Sequence, residues 1–165
     1  EPYAAAPGLR IQNIYKLKAI GILPEVRVDP IIPFLTDTEG EITRLFEKLK
    51  EAGIEKVTLS YLHLRPTIQG QLKQELSPLH GKVIEACFHG QDWKVVGSST
   101  HTKLLPRPVR ERGYQRMKKI AAKFGIQAAI CQCKNPDLKG DLCGSGRVGK
   151  AIREKASAQL PLFRC

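Results

Sequence analysis

Apolar positions in this chain repeat with two periods. Ile42, Leu45, Phe46, Leu49 and Ala52 recur every three to four residues and make one face of a helix predicted over 38–52. Thr38 and Glu41 stand at capping-box spacing at its start, with Asp37 beside them as an alternative cap. Short apolar and β-branched runs at about 25–31, 56–62 and 127–131 predict strands. Their composition suits strands covered on both faces. Further helices are predicted over 7–20 and 108–124, the second with Pro108 in its first turn. Ile68 to Leu76 also reads as helical, within a stretch (65–106) that is otherwise less regular, and Ser98 to Thr102 reads as a polar loop.

One local pattern recurs. Leu17-Lys18-Ala19-Ile20-Gly21-Ile22, Leu49-Lys50-Glu51-Ala52-Gly53-Ile54 and Ala121-Ala122-Lys123-Phe124-Gly125-Ile126 each precede a predicted strand. A helix closed by glycine and followed by a strand, three times over, implies a parallel α/β sheet. So few units cannot close a barrel and leave a sheet edge bare. The expected fold is therefore an α/β parallel-sheet fragment of a partial (β/α) barrel, with a basic helix–strand extension and a flexible tail. Residues 1–106 form the barrel part, 107–143 the basic segment with its cysteines, and 144–165 the tail. The sheet is expected to continue upstream of Glu1. The opening Glu1-Pro2-Tyr3 has no initiator Met and reads as cut, processed or recorded incompletely; nor has it a basic start or an apolar stretch, so no signal peptide is expected.

Charge changes this picture. The chain carries a net +11, and residues 1–100 hold 12 Lys/Arg against 12 Asp/Glu. The excess lies in residues 101–165, with 15 against 4. Such asymmetry points to a polyanion partner, DNA first, although a merely solvated surface gives the same counts. On the predicted helix 108–124, Arg112, Arg116, Lys119 and Lys123 fall within about 60° of one another, opposite Tyr114, Met117, Ala121 and Phe124. This stripe is the candidate nucleic-acid surface. No apolar run is long enough to cross a membrane, and a cytoplasmic location is expected.

The five cysteines are Cys87, Cys131, Cys133, Cys143 and Cys165. An odd number without a secretory signal reads as reduced thiols. Cys131, Cys133 and Cys143 form a C-x-C-x9-C array, a candidate site for zinc or an iron–sulfur cluster, with His101 or Cys165 as conceivable fourth ligands. Two cysteines alternating on a strand point apart, so convergence requires the strand to break at Cys133-Lys134-Asn135-Pro136. Arg27, Asp29, His63 and Arg65 stand in or just after predicted strands, where parallel sheets place their sites. They are cofactor-binding candidates; an internal salt bridge and a satisfied histidine are the alternative. No phosphate-binding P-loop, dinucleotide fingerprint or H-E-x-x-H motif is present.

Glu1-Pro2, the helix ending at Gly21, Val26-Arg27-Val28-Asp29-Pro30-Ile31-Ile32-Pro33 and Thr36-Asp37 together resemble the later barrel strands of radical S-adenosylmethionine (SAM) enzymes. The resemblance is to the spore photoproduct lyase-like group, the DNA repair photolyase-type proteins. Tyr114, Cys131-Gln132-Cys133-Lys134-Asn135-Pro136-Asp137-Leu138 and Cys143 resemble the end of such proteins. The resemblance implies SAM and a 4Fe–4S cluster in a full-length enzyme and DNA repair or nucleic-acid modification as its work. The family's C-x3-C-x2-C cluster motif is absent here and is expected upstream of Glu1, in the missing N-terminal half of the barrel. The chain alone is therefore expected to be inactive. In the tail, Gln159-Leu160-Pro161-Leu162-Phe163 is similar to the peptide by which bacterial repair and replication proteins dock on the sliding clamp. The alternatives are a non-catalytic, metal-stabilised nucleic-acid-binding module, or a radical SAM protein acting on another substrate.

Overall fold

A computed structural model of the chain describes residues 4–96 and 101–140. In chain order the elements are α1 (Pro7–Ala19), β1 (Val26–Ile31), α2 (Glu39–Glu51), β2 (Lys56–Tyr61), α3 (Pro66–Glu75) and α4 (Pro78–Phe88). They continue with β3 (Lys94–Val95), β4 (His101–Thr102), α5 (Arg107–Lys123), β5 (Gln127–Ile130) and a 3₁₀ turn at Gln132–Lys134. β1, β2 and β5 form one parallel sheet with β2 in the middle. The protein is thus α/β, and no closed barrel is found among the described residues.

The repeated helix–glycine–strand pattern is built as expected. Gly21, Gly53 and Gly125 take positive φ angles of 79°, 68° and 69°. In each case the next residue donates back into the helix: Ile22 to the Leu17 carbonyl, Ile54 to Leu49 and Ile126 to Ala121, at 2.9–3.0 Å. These are the bonds that close a helix before the chain turns into a strand. The start of α2 is also as expected at Thr38, whose hydroxyl accepts from the Glu41 amide at 3.3 Å. Asp37 is not the alternative cap. Its carboxylate accepts from the Phe34 amide (2.6 Å) and the Tyr61 hydroxyl (2.8 Å).

Side chains alternate across each strand, so each face of the sheet collects every second residue. Val57, Leu59 and Tyr61 share the core with Ile42, Phe46 and Leu49 of α2 and with Tyr114, Met117, Ile120 and Ala121 of α5. The opposite face is polar. Register pairs Arg27 with Thr58 and Thr58 with Ala129. Two residues further along lie Asp29, Ser60 and Cys131. The central strand β2 is covered on both faces, as expected, since Thr58 and Ser60 are buried opposite Val57, Leu59 and Tyr61; the second face is polar rather than apolar. β1 pairs with β2 alone among the described strands. Beside it, α1 gives only Ile14 to the buried core, and Leu9, Ile20 and Leu23 are exposed.

Residues 65–106 hold more structure than their pattern suggests. α3 covers the expected Ile68 region. α4 follows, with Ser77 as its cap and Pro78 in its first turn. Its buried stripe is the single pair Ile84 and Phe88, too thin to stand out in the sequence. His101 and Thr102 belong to β4, antiparallel to β3, so the end of the expected 98–102 loop is a strand.

Candidate functional site

The site forms where the three parallel strands end. Arg27 Nη2 donates to Asp29 Oδ2 at 3.3 Å. Lys134, just past β5, places its Nζ at 2.9 and 2.7 Å from the two Asp29 oxygens. The neighbouring His63 ring nitrogen Nε2 contacts the Lys134 carbonyl at 2.8 Å. Burial pushes the His63 pKa down to about 4, and the positive charge of Lys134 acts in the same direction, so the imidazole is neutral at physiological pH. Arg27, Asp29 and His63 thus come together, linked through Lys134. An internal salt bridge and a satisfied histidine, the alternative to a cofactor site, are both present in this cluster on the polar side of the sheet. Arg65 takes the N-cap position of α3, two residues past His63.

Cys131 and Cys133 do converge. β5 ends at Ile130, and the 3₁₀ turn brings the two sulfurs to 2.9 Å. Cys131 is fully buried, whereas Cys133 is exposed. Arg27 Nη2 lies 3.5 Å from the Cys131 sulfur, which ties the thiol pair to the charged cluster. The loop is pinned from below by Asn135. Its Nδ2 donates to the Cys131 carbonyl (2.9 Å), and its Oδ1 accepts from Arg110 (2.9 Å) and from the Tyr114 hydroxyl (3.3 Å). Among the described residues, no three His, Cys, Asp or Glu side chains gather as metal ligands. Cys143 and Cys165 lie outside the described residues, and His101 is exposed on β4. The tail residues Gln159, Leu160, Leu162 and Phe163 also lie outside them.

A second surface lies on α5. Arg112, Arg116, Lys119 and Lys123 are exposed and line one open groove of about 370 Å³, together with Gln115, Ile120 and Glu39. The predicted two-faced helix is present: Tyr114, Met117 and Ala121 are buried on the other side, and Phe124 is half-buried. Arg116 has a second task. Its Nη2 donates to the Asp37 carbonyl (2.7 Å) and carboxylate (3.1 Å), tying α5 to the loop after β1.

No protein-family model matches the chain. It is similar to uncharacterized proteins of Mycobacterium tuberculosis and Mycobacterium bovis, 31% identical over 78 residues. That stretch is 47% of this chain and 23% of the relative, so the match spans about a quarter of the length of these relatives. No solved structure matches. No helix among the described residues is long and apolar enough to cross a membrane.

Three residues of the site were given no site role in the sequence. Lys134 joins the cluster from outside any predicted strand. Asn135 is almost fully buried and organises the loop. Arg110 is buried with its guanidinium on the Leu105 carbonyl (2.9 Å), Asn135 and Asp137 (3.0 and 2.5 Å). A signal for Arg110 existed: it precedes Tyr114, Met117 and Ala121 at four, seven and eleven residues, on the apolar stripe of α5. An arginine there needs buried acceptors.

Proposed function

We propose that this chain is the nucleic-acid-handling C-terminal part of a cytoplasmic radical SAM enzyme similar to the spore photoproduct lyase-like group. The observation that carries the reading is the α5 groove. Four cationic side chains line it, and successive ones lie about one turn apart, or 5–6 Å, so that they can face one phosphate track. The three parallel strands, with a polar cluster at their carboxyl ends, support the barrel part of the reading. So does the side of β1 that pairs with no strand among the described residues, which suits a further strand from the other half of a barrel.

The cofactors fit unequally. No three cysteines of this sequence stand at C-x3-C-x2-C spacing, so this chain does not offer the ligands of the radical-forming cluster, and no step through that cluster is assigned to it. Arg27, Asp29 and Lys134 offer both cations and a carboxylate, which suits a zwitterionic ligand such as the methionyl part of SAM. SAM would supply a 5′-deoxyadenosyl radical only on receiving an electron from a cluster held outside these residues, and that radical would abstract hydrogen from a base or lesion. The chain's own residues would hold and orient the ligand. Docking of Gln159, Leu160, Leu162 and Phe163 on a sliding clamp is part of the same proposal. The α5 groove equally supports one second reading, a non-catalytic nucleic-acid-binding module.

The test is duplex DNA binding by the chain and by an Arg112→Glu, Lys119→Glu, Lys123→Glu triple variant. Arg116 is left in place because it also holds Asp37. The variant should bind more weakly, and its slope of log affinity against log salt should flatten by about 2 to 3. Unchanged affinity and slope would reduce the groove to a solvated helix face.

A further inference from the structure

We propose that Cys131 and Cys133 form a redox-active dithiol that exchanges with low-molecular-weight disulfides, Cys133 as the entry thiol and Cys131 as the resolving one. This goes beyond the nucleic-acid reading and does not depend on it. The first ground is distance. The sulfurs are 2.9 Å apart, whereas two thiolates on one tetrahedral zinc, each about 2.3 Å from the metal, stand roughly 3.8 Å from each other. The pair is set for direct sulfur–sulfur contact rather than for a metal between.

The second ground is asymmetry. Cys133 is exposed, while Cys131 has no exposed surface. Such a division suits a thiol that meets the reagent and one that closes the ring behind it. The third is position. The Arg27 guanidinium lies 3.5 Å from the Cys131 sulfur and ties the pair to the charged cluster. The loop is also held in place on both sides of the pair. The Cys131 amide donates to the Leu59 carbonyl (3.1 Å), its carbonyl accepts from Asn135, and Lys134 is bound through both its side chain and its carbonyl.

The chemistry balances with the disulfide as oxidant. The Cys133 thiolate attacks one sulfur of the small disulfide, forming a mixed disulfide and releasing one small thiol. The Cys131 thiolate then attacks the Cys133 sulfur, forming the protein S–S bond and releasing the second small thiol. Two electrons and two protons pass from the protein to the reagent.

Oxidised glutathione is the probe, used on the full chain. Trypsin cleaves after Lys123 and Lys134, so one peptide, Phe124–Lys134, contains both cysteines and none of the other three. After incubation this peptide should be two hydrogens lighter and resist alkylation until reduced. Cys133→Ser should abolish the change, and Cys131→Ser should leave a persistent glutathione adduct on Cys133. Half-buried Cys87, whose thiol burial pushes up, should remain alkylatable throughout. The proposal is overturned if both cysteines stay free, if Cys133 links instead to Cys143 or Cys165, or if a bound metal protects the pair.

Discussion

Arg116 reaches from the basic groove of α5 to Asp37, donating to its carbonyl and its carboxylate. The same carboxylate accepts the Tyr61 hydroxyl at the end of β2. One residue of the groove therefore also ties the helix to the loop after β1 and, through Asp37, to the end of β2. Arg116→Ala should lower stability by about 0.5–1 kcal/mol, because the arginine is half exposed and water screens its pairing. Its melting temperature should fall while that of the triple variant stays unchanged. Equal melting temperatures for the two would show that the Asp37 contact is not holding the helix.

Gly113 lies in α5 where a Cβ would collide with the Tyr61 hydroxyl and ring. Tyr61 is nearly fully buried and stacks obliquely on Tyr114, with centroids 5.0 Å apart, so it has little room to yield. Alanine has the higher helix propensity, yet overpacking should win. Gly113→Ala is expected to cost about 1–3 kcal/mol in chemical denaturation. A stabilised variant would mean that the two elements can separate freely.

Asn135→Ala should be among the most damaging single changes in the loop. It removes the partner of the Cys131 carbonyl and one partner of buried Arg110 together. Leaving such groups unsatisfied costs about 2–4 kcal/mol. Urea unfolding measures the loss, and a loss below half a unit of that range would place the strength of the loop in the Arg110–Asp137 pair instead.

His63 makes stability depend on pH. Its folded pKa is about 4, below the ordinary value near 6.5. Between those values the unfolded chain binds the proton and the folded chain does not. The contribution is therefore complete above about 6.5 and declines as pH falls towards 4. His63→Gln should flatten that part of the stability–pH curve. An unchanged curve would remove His63 as its source.

Chain supplied with iron, sulfide, reductant and SAM should yield no 5′-deoxyadenosine above background, since its cysteines lack the required spacing. Sustained turnover would overturn the placement of the radical chemistry outside these residues.

Local rules made much of the frame readable. The apolar spacing of Ile42, Phe46 and Leu49, the glycines at 21, 53 and 125 and the β-branched runs after them follow from helix period, left-handed backbone and strand preference, which neighbouring residues settle among themselves. The charged stripe of α5 was legible for the same reason. The carboxyl-end cluster was only partly so. Arg27, Asp29 and His63 stood out individually, but Lys134 and Asn135 joined them through a turn whose shape depends on buried Arg110 and Tyr114. Which face of the sheet is polar, and how Cys131 and Cys133 come to touch, were decided by strand order and register. Those are set by packing between residues as far apart as Arg27 and Cys131, and no local pattern in the chain encodes that proximity.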